Sequence, residues 1–228
     1  MENKNTIFIT GANRGIGLAL VKEALKKNLF VIACYRNNSN IKILKSINND
    51  NLITYELDVT NELSIKDVEK KLTRKIDYLV CNAGVNNGYG SFDSQDHSQE
   101  KIREVLNVNV IGPILTTRCL LDKINDNGKI IYISSIMGVQ KHEGSRATAY
   151  RASKAAVNNV MISISNDLKP KGIVVTAFHP GWVQTDMGGP NATLTPEESA
   201  SSLIENFLKL TLSHSGYLYN FDGSIIEF

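Results

Sequence analysis

This sequence of 228 residues has no long apolar run and no excess of charge of either sign. No segment approaches the ~20 apolar residues that a membrane-spanning helix needs, so we expect no membrane partner. The formal net charge is only +2. Lysine and arginine are scattered rather than gathered in a basic stripe, which argues against a nucleic-acid partner.

Cysteine is scarce as well. Cys34, Cys81 and Cys119 have neither the even number of a disulfide framework nor the spacing of a zinc site, which is typical of a reducing compartment. His142 and His179 lack partners at ligand spacing, so we expect no bound metal. The first residues are polar and do not resemble a secretory signal. The sequence therefore predicts a cytoplasmic protein.

The chain does contain a regular alternation of short apolar runs with longer amphipathic segments, the pattern of parallel strands joined by crossover helices. The apolar runs predict strands over residues 6–10, 30–35, 52–57, 78–81, 129–134, 174–178 and 217–219. The amphipathic segments predict helices over residues 15–27, 41–47, 62–72, 99–124, 150–168 and 196–210. We therefore expect a single α/β domain over residues 1–228, a doubly wound, Rossmann-like parallel sheet of about seven strands with helices on both faces.

The longest irregular segments, residues 82–98, 135–149 and 179–195, each follow a predicted strand. Ligands of open α/β sheets bind at the carboxyl ends of strands, so these segments are the candidate binding loops. Residues 186–195 are rich in Gly, Pro and Asn and predict a small, mobile lid over a substrate. Asp186 is expected either to line the mouth of this site or to cap a helix.

A glycine cluster at residues 10–17, with the sequence TGANRGIG, lies between the first predicted strand and the first predicted helix. Glycine lets the backbone approach a pyrophosphate, and a helix start offers unpaired N–H groups and a positive dipole end. The spacing is G-x-x-x-G-x-G rather than the common G-x-G-x-x-G. Most glycine clusters are only turns, but the position of this one, in a strand-turn-helix unit, predicts phosphate binding.

Arg36 follows the second predicted strand, where an acidic residue would hold the ribose of NAD(H) and a basic residue the 2′-phosphate of NADP(H). Arg14 in the glycine cluster is a second candidate cation. The sequence therefore favours NADP(H), with NAD(H) as the alternative. The other interpretation of Arg36 is a solvated surface charge.

Tyr150 and Lys154 are one helical turn apart, which places an ammonium beneath a phenol. Lowering a tyrosine pKa from about 10 to about 7 takes about 4 kcal/mol. A charge ~4 Å away supplies about 4 kcal/mol at an effective dielectric of 20. The pair can therefore act in acid–base chemistry, although a chain of this composition is expected to contain such a pair by chance.

The remaining motifs decide between these interpretations, because their order resembles that of the short-chain dehydrogenase/reductase family over nearly the whole chain. After the glycine cluster come Asp58-Val59, Cys81-Asn82-Ala83-Gly84, Asn109, Ser134-Ser135 with Gly138, Tyr150 fifteen residues after Ser135, and PGWVQT at residues 180–185. Cys81 replaces the first Asn of the family's Asn-Asn-Ala-Gly turn. The phrases YRASK, HPGWVQTDMGG and SGYLYNFDG are similar to the sniffer and C-factor-like carbonyl reductases of this family.

This resemblance implies a role for each motif. Tyr150 would protonate a carbonyl oxygen, with Lys154 and the cofactor's charge lowering the phenol pKa. Ser135 would hydrogen-bond the same oxygen, and Asn109 would position a water that reprotonates Tyr150. Trp182 is expected to pack beside the cofactor. The implied cofactor contacts are Gly11, Asn13, Arg14, Gly15, Ile16, Gly17, Arg36, Asp58, Val59, Asn82, Ala83, Gly84, Tyr150, Lys154, Pro180, Gly181, Val183 and Thr185.

The implied function is an oxidoreductase that transfers hydride from NADPH to the carbonyl of a small aldehyde, ketone or quinone. Two alternatives stay open: a nucleotide-binding signalling or regulatory protein of C-factor type, and an NAD-dependent sugar or polyol dehydrogenase. The resemblance also implies a homodimer or homotetramer, formed through the helices that carry Asn109 and Tyr150. Apolar stripes on such helices are as often ordinary core.

Overall fold

A computed structural model describes residues 4–37, 41–141 and 146–227 of the chain, so His142 lies outside the described residues. Its strands are β1 (Thr6–Ile9), β2 (Phe30–Tyr35), β3 (Leu52–Glu56), β4 (Ile76–Cys81), β5 (Ile124–Ile133), β6 (Val174–His179), β7 (Leu218–Asn220) and β8 (Ile225–Ile226). They form one sheet in the order β3-β2-β1-β4-β5-β6-β7-β8. Every neighbouring pair is parallel except β7 and β8. The predicted doubly wound parallel sheet is confirmed.

Helices cover both faces of this sheet, as predicted. They are α1 (Gly15–Lys26), α2 (Lys42–Lys45), α3 (Glu62–Lys71), α4 (Gln99–Leu106), α5 (Gly112–Leu120), α6 (Thr148–Leu168) and α7 (Pro196–Lys209). Within each strand, successive side chains enter opposite cores, so that Ile7 and Ile9 pack with α1 and α7, whereas Phe8 packs on the side of α3 and α6. Among the described helices none is long and apolar enough to cross a membrane.

The sheet differs from the prediction at two places. The two-residue strand β8 adds an eighth, antiparallel strand at the edge, and it is too short to show any periodicity in the sequence. β5 begins at Ile124, whereas the sequence predicts its start at residue 129. The apolar pattern misses the first part of the strand because that part carries the polar residues Asn125 and Asp126. Asn125 bonds the side chain of Asp77 in β4 at 2.8 Å, a pairing that no apolar pattern reveals.

The predicted helix over residues 99–124 is also interrupted. Between α4 and α5, the segment Asn107–Ile111 forms a turn of π-helix, in which the N–H of Gly112 donates to the carbonyl of Asn107 five residues earlier. Pro113 follows, and it has no N–H to donate to the carbonyl of Asn109 as a regular helix would require. The widened turn accommodates this missing bond, and it contains the candidate catalytic residue Asn109.

Candidate active site

The predicted site residues are brought together at the carboxyl edge of the sheet. The loops after β1 and β4 are neighbours there, because β1 lies between β2 and β4. This is the position at which the strand order reverses, and such a reversal opens a crevice in doubly wound sheets. The loops after β5 and β6 continue the same edge and carry Ser135 and residues 180–185.

The glycine loop after β1 is tied closely to the loop after β4. The Asn82 Nδ2 donates to the carbonyls of Thr10 and Gly11 at 2.9 and 3.1 Å. The Thr10 hydroxyl in turn accepts from the N–H groups of Asn82 and Ala83, both at 3.0 Å. Gly11 has a φ of +64°, and a Cβ on Gly17 would lie 2.2 Å from the Gly11 oxygen. Both positions therefore require glycine.

The start of α1 fits a pyrophosphate. Within the described part of the chain no side chain caps this helix at Arg14, and its first turn, which includes Gly15 and Ile16, contains no acidic residue. The first N–H groups of a helix have no partner inside it, and with the helix dipole they attract an anion. Asn13, half-buried in the same loop, lies beside this helix start.

The two candidate cations lie at the ends of β1 and β2. Arg14 is exposed and forms an ion pair with Asp186 of the loop after β6. Arg36 is exposed and lines a cavity of about 400 Å³ together with Thr60 and Arg103. Arg14 is thus already engaged with a carboxylate, which would compete with a phosphate for it. The ion pair holds Asp186 against the glycine loop, and its expected place at the mouth of the site or as a helix cap stays a prediction.

Asp58 and Val59 shape the end of β3. The Asp58 carboxylate accepts hydrogen bonds from the N–H and the hydroxyl of Thr60, at 2.9 and 2.7 Å. Val59 is buried against Gly112 at the start of α5, where a Cβ on that glycine would lie 2.8 Å from a Val59 methyl group. These contacts fix the position of the turn, and the adenine contact expected here stays a prediction.

The segment after β6 closes the other side of the site. The carbonyl of Pro180 accepts from the Ser199 hydroxyl of α7 at 2.7 Å. Thr185 lies directly against the glycine loop, because a Cβ on Gly15 would come 3.2 Å from the Thr185 methyl group. The segment therefore contacts the glycine loop at Thr185, and the cofactor contacts expected of both stay a prediction.

The lid is held by hydrogen bonds. Gly181 has a φ of +83°, and Val183 pairs with Leu194 in a parallel bridge that joins the two ends of the loop. The Trp182 indole N–H donates to the carbonyl of Gly188 at 2.8 Å. Trp182 is 52% exposed, and its expected packing beside the cofactor stays a prediction. Its polar edge is tied to the loop while its faces stay accessible.

Ser135, Tyr150 and Lys154 meet at the end of β5. Tyr150 is half-buried in the first turn of α6 and forms a hydrogen bond with the Ser135 side chain. Lys154 is buried, with its Nζ 5.5 Å from the centre of the Tyr150 ring and 2.8 Å from the carbonyl oxygen of Ile133. A Cβ on Gly84 would lie 3.7 Å from the Lys154 Nζ, so the ammonium also borders the loop after β4.

The electrostatics of this cluster differ from the expectation. Burial raises the pKa of Tyr150 to about 12, and its hydrogen bond with Ser135 opposes this only in part. Burial also lowers the pKa of Lys154 to about 8. Desolvation dominates the phenol pKa, and the expected lowering by Lys154 does not appear beside it, since the ammonium is bound to the carbonyl of Ile133. Tyr150 is therefore held as a protonated phenol at neutral pH.

Asn109 acts on the loop after β4 in this structure. Its Nδ2 donates to the carbonyl of Val85 at 2.9 Å and to the Ser153 hydroxyl at 3.0 Å, and its Oδ1 accepts from the N–H of Val85 at 2.9 Å. The Ser153 hydroxyl donates to the carbonyl of Tyr150 at 2.7 Å. Asn109 therefore connects the π-turn, the loop after β4 and the catalytic helix, and its expected role toward a water stays a prediction.

Two residues at the site were not assigned a role from the sequence. Gly138 lets the turn after Ser135 pack on α6, because a Cβ there would lie 2.5 Å from the backbone of Lys154. The glycine stands three residues after Ser135, and that spacing was the available signal. Tyr89, in the loop after β4, donates its hydroxyl hydrogen to the carbonyl of Met187 in the lid at 3.0 Å. No sequence pattern indicates this contact.

Comparisons with known proteins agree with this geometry. Residues 5–194 match the family model described as short chain dehydrogenase. The solved structure of the carbonyl reductase Sniffer of D. melanogaster is similar, with a TM-score of 0.91 and 30% identity over 99% of this chain and 100% of that one. The NADPH-bound carbonyl reductase from chicken fatty liver has a TM-score of 0.87 and 27% identity over 99% of both chains.

A curated relative extends the comparison. The C-signal protein of Myxococcus xanthus is 34% identical over 155 residues, which cover 67% of this chain and 92% of that protein. The similarities to Sniffer and to C-signal confirm the subgroup that the sequences YRASK, HPGWVQTDMGG and SGYLYNFDG indicate. With the glycine loop, the Ser135–Tyr150–Lys154 cluster and a family model that matches most of its length, this chain belongs to the short-chain dehydrogenase/reductase family and is an oxidoreductase of that fold.

Proposed function

We propose that this protein reduces the carbonyl group of a small aldehyde, ketone or quinone, with NADPH as the hydride donor and Tyr150 as the proton donor. The observation that carries the proposal is the cluster of Tyr150, Ser135 and the buried Lys154, beside a glycine loop that fits a pyrophosphate. A nucleotide-binding protein without chemistry has no need of this cluster.

Each residue of the cluster has a role that follows from its position. The bound cofactor supplies a hydride to the carbonyl carbon. Tyr150 donates its proton to the carbonyl oxygen, and the Ser135 hydroxyl donates a hydrogen bond that orients this oxygen and stabilises its developing negative charge. Lys154, buried beneath the ring, supplies a positive charge that stabilises the phenolate left behind. It also lies within reach of a ribose placed against Gly84.

Asn109 supports these steps through its contacts with the loop after β4 and with the catalytic helix. Its bonds to Val85 and Ser153 hold the loop after β4 at a fixed distance from the catalytic helix. A water ordered by Asn109 and Lys154 would return the proton to Tyr150 after each turnover. This is the role that the family resemblance implies for Asn109, whose Oδ1 lies beside Gly84 as the Lys154 Nζ does.

The preference for NADP(H) rests on the two arginines. Arg14 and Arg36 lie at the ends of β1 and β2, where a 2′-phosphate would need a cation, and the described residues carry no carboxylate at the end of β2 that would hold a ribose hydroxyl instead. Solved structures of similar proteins contain NADPH or NADP. An NAD-dependent polyol dehydrogenase would have to turn over faster with NADH than with NADPH.

The test is the loss of nicotinamide absorbance with a panel of simple carbonyl compounds and both cofactors. Tyr150→Phe is expected to lower kcat at least ~100-fold, the scale of a lost general acid, while NADPH binding measured by fluorescence is retained. Tyr217→Phe removes the hydroxyl of an exposed tyrosine outside the site and is the matched control. Activity of Tyr150→Phe equal to that of the control would exclude this mechanism.

A second candidate function is nucleotide-dependent signalling, favoured by the 34% identity with C-signal. In that case the cellular effect of the protein would survive Tyr150→Phe, whereas an enzymatic effect would not. Complementation of a deletion strain with the wild-type protein and with Tyr150→Phe separates the two functions.

We further propose that the protein is a homodimer or homotetramer in the cytoplasm. Leu106 and Ile111, on α4 and the π-turn, are 36% and 45% exposed and offer apolar area to a second copy. Cys34, Cys81 and Cys119 are free thiols, which supports a reducing compartment. Light scattering tests the assembly, and a monomer would contradict it. Cell fractionation tests the location.

A further inference from the structure

Two aromatic side chains hold adjacent carbonyl groups of the lid. Trp182 donates its indole N–H to the carbonyl of Gly188 at 2.8 Å, and Tyr89 donates its hydroxyl to the carbonyl of Met187 at 3.0 Å. Trp182 belongs to the same loop as its acceptor, whereas Tyr89 comes from the loop after β4. The Tyr89–Met187 bond therefore joins two separate loops at the carboxyl edge of the sheet.

The order of the strands places this bond above the reacting groups. Tyr89 follows β4 and Met187 follows β6, while β5 lies between these two strands and leads into Ser135. A contact from the loop after β4 to the loop after β6 has to cross over the end of β5. The Tyr89 and Tyr150 phenols also interact electrostatically, which agrees with this placement.

The aromatic faces at this crossing are accessible. Tyr89, Trp182 and Met187 are 49%, 52% and 38% exposed, although their polar atoms are tied by hydrogen bonds. The Asn86 side chain also interacts with the Tyr89 phenol. Fixed aromatic rings and a thioether are partners that a flat aromatic molecule contacts favourably.

We propose that Tyr89 is a specificity-determining residue, whose ring forms a wall of the substrate cleft over Tyr150 and whose hydroxyl ties the lid at Met187, so that the cleft selects flat aromatic carbonyl compounds over aliphatic ones. This inference rests on the proposed reductase function and names the substrate class of that site. Tyr89 contacts the substrate in this assignment and takes no part in proton or hydride transfer.

The experiment compares kcat/KM for 4-nitrobenzaldehyde and hexanal in the wild type, Tyr89→Phe, Tyr89→Leu and Tyr89→Ala. Tyr89→Phe keeps the ring and is expected to keep the aromatic preference. Tyr89→Leu and Tyr89→Ala lose the ring, and the ratio of the two kcat/KM values is expected to fall about tenfold, mainly through KM for the aromatic aldehyde. Phe92→Ala, at a 77% exposed aromatic residue of the same loop, is the control and should leave the ratio unchanged.

A binding measurement separates this inference from the proposed function. Trp182 is the only tryptophan of the chain, so its fluorescence reports on the lid. Saturable quenching by 4-nitrobenzamide, whose amide is not a substrate for reduction, is expected in the wild type, with a Kd about tenfold higher in Tyr89→Leu. If the protein reduces no carbonyl compound but the two Kd values differ in this way, the proposed reductase function is wrong, and the assignment of Tyr89 to the wall of the cleft is supported.

A different outcome would overturn the inference about Tyr89 and leave the proposed reductase function intact. If the wild type reduces both aldehydes and the ratio is the same in Tyr89→Leu, Tyr89 does not select the substrate. Should Tyr89→Ala prove unstable, the larger leucine variant carries the comparison, and an unchanged Kd for 4-nitrobenzamide in that variant also refutes the assignment.

Discussion

Arg14 and Asp186 form an ion pair that joins the start of α1 to the lid after β6. Both side chains are largely exposed, so solvent screens the pair and it contributes little to stability. Its importance lies in competition, because the same guanidinium is a candidate partner for the 2′-phosphate of NADP(H).

Removing the carboxylate should therefore favour the phosphate. Asp186→Asn is expected to lower the Kd for NADPH several-fold and leave the Kd for NADH unchanged, whereas Arg14→Ala should weaken NADPH binding alone. Fluorescence titration with both cofactors measures this. Glu205→Gln, which breaks the exposed Lys27–Glu205 pair elsewhere, is the matched control. Equal changes for NADPH and NADH would show that Arg14 does not contact the 2′-phosphate.

Gly17 is expected to tolerate no side chain. A Cβ there would lie 2.2 Å from the Gly11 oxygen and 2.6 Å from the Asn82 Nδ2, so Gly17→Ala must displace the backbone of the glycine loop. We expect a marked loss of stability in urea denaturation and the loss of NADPH binding, although alanine ordinarily favours a helix.

Gly189→Ala is the control for this prediction. Gly189 has a φ of +77° with no atom within 4 Å of an added Cβ among the described residues. Its variant should lose only about 1 kcal/mol through backbone strain and should bind NADPH normally. Similar losses in the two variants would argue against close packing in the glycine loop.

Lys154 gives stability a defined dependence on pH. Its pKa is lowered to about 8 in the folded protein, whereas an unfolded lysine has a pKa of about 10.4. Between these values the unfolded state binds more protons than the folded state, so the contribution of Lys154 to stability rises with pH, by about 3 kcal/mol over the whole window.

Lys154→Met removes this dependence. The free energy of unfolding of the wild type minus that of the variant should rise from pH 7.5 to pH 10, as measured by urea denaturation at several pH values. The buried cysteines are present in both proteins and cancel in the difference, and Tyr150, with a pKa of about 12 in the folded protein, stays protonated over this range. Lys169→Met, at an exposed lysine, is the control. A difference that is constant with pH would mean that Lys154 is not desolvated.

Asn109 and Asn158 offer a comparison between two buried asparagines. Asn109→Ala removes three hydrogen bonds, two to the backbone of the half-buried Val85 and one to the buried Ser153 hydroxyl, each worth about 1 kcal/mol. Asn158→Ala removes a single bond, accepted from the Ser134 hydroxyl at 2.5 Å. We expect the larger loss of stability, and a loss of activity, at Asn109. A reversed order in thermal denaturation would contradict this.

Some parts of the fold and of the site could be predicted from the sequence, and others could not. The strands and helices with strong periodicity, such as β2 and α7, were predicted to within a residue or so of their observed ends. The glycine loop and the order of motifs located the site. The break in the helix around Asn109 was missed, because its cause combines Pro113 with hydrogen bonds to Val85 in a distant loop.

The same limit applies to the chemistry of the site. The spacing of Tyr150 and Lys154 predicts their proximity, but the pKa of the phenol depends on how deeply the fold buries it, and burial is not encoded in a four-residue interval. The contact between Tyr89 and Met187 depends on which strands are neighbours. Sheet order is a property of the whole chain, and no local pattern contains it.

The π-turn at Asn107–Ile111 has a consequence for insertions and deletions. An α-helix turns by about 100° per residue, and the wider π-turn takes up one additional residue without rotating α5 by that amount. Inserting one residue into α5 before Thr116, where no such turn absorbs it, would instead carry the buried residues Thr116 and Leu120 away from the sheet. Although helical throughout, this segment should tolerate changes in length less well than the long loops around the site.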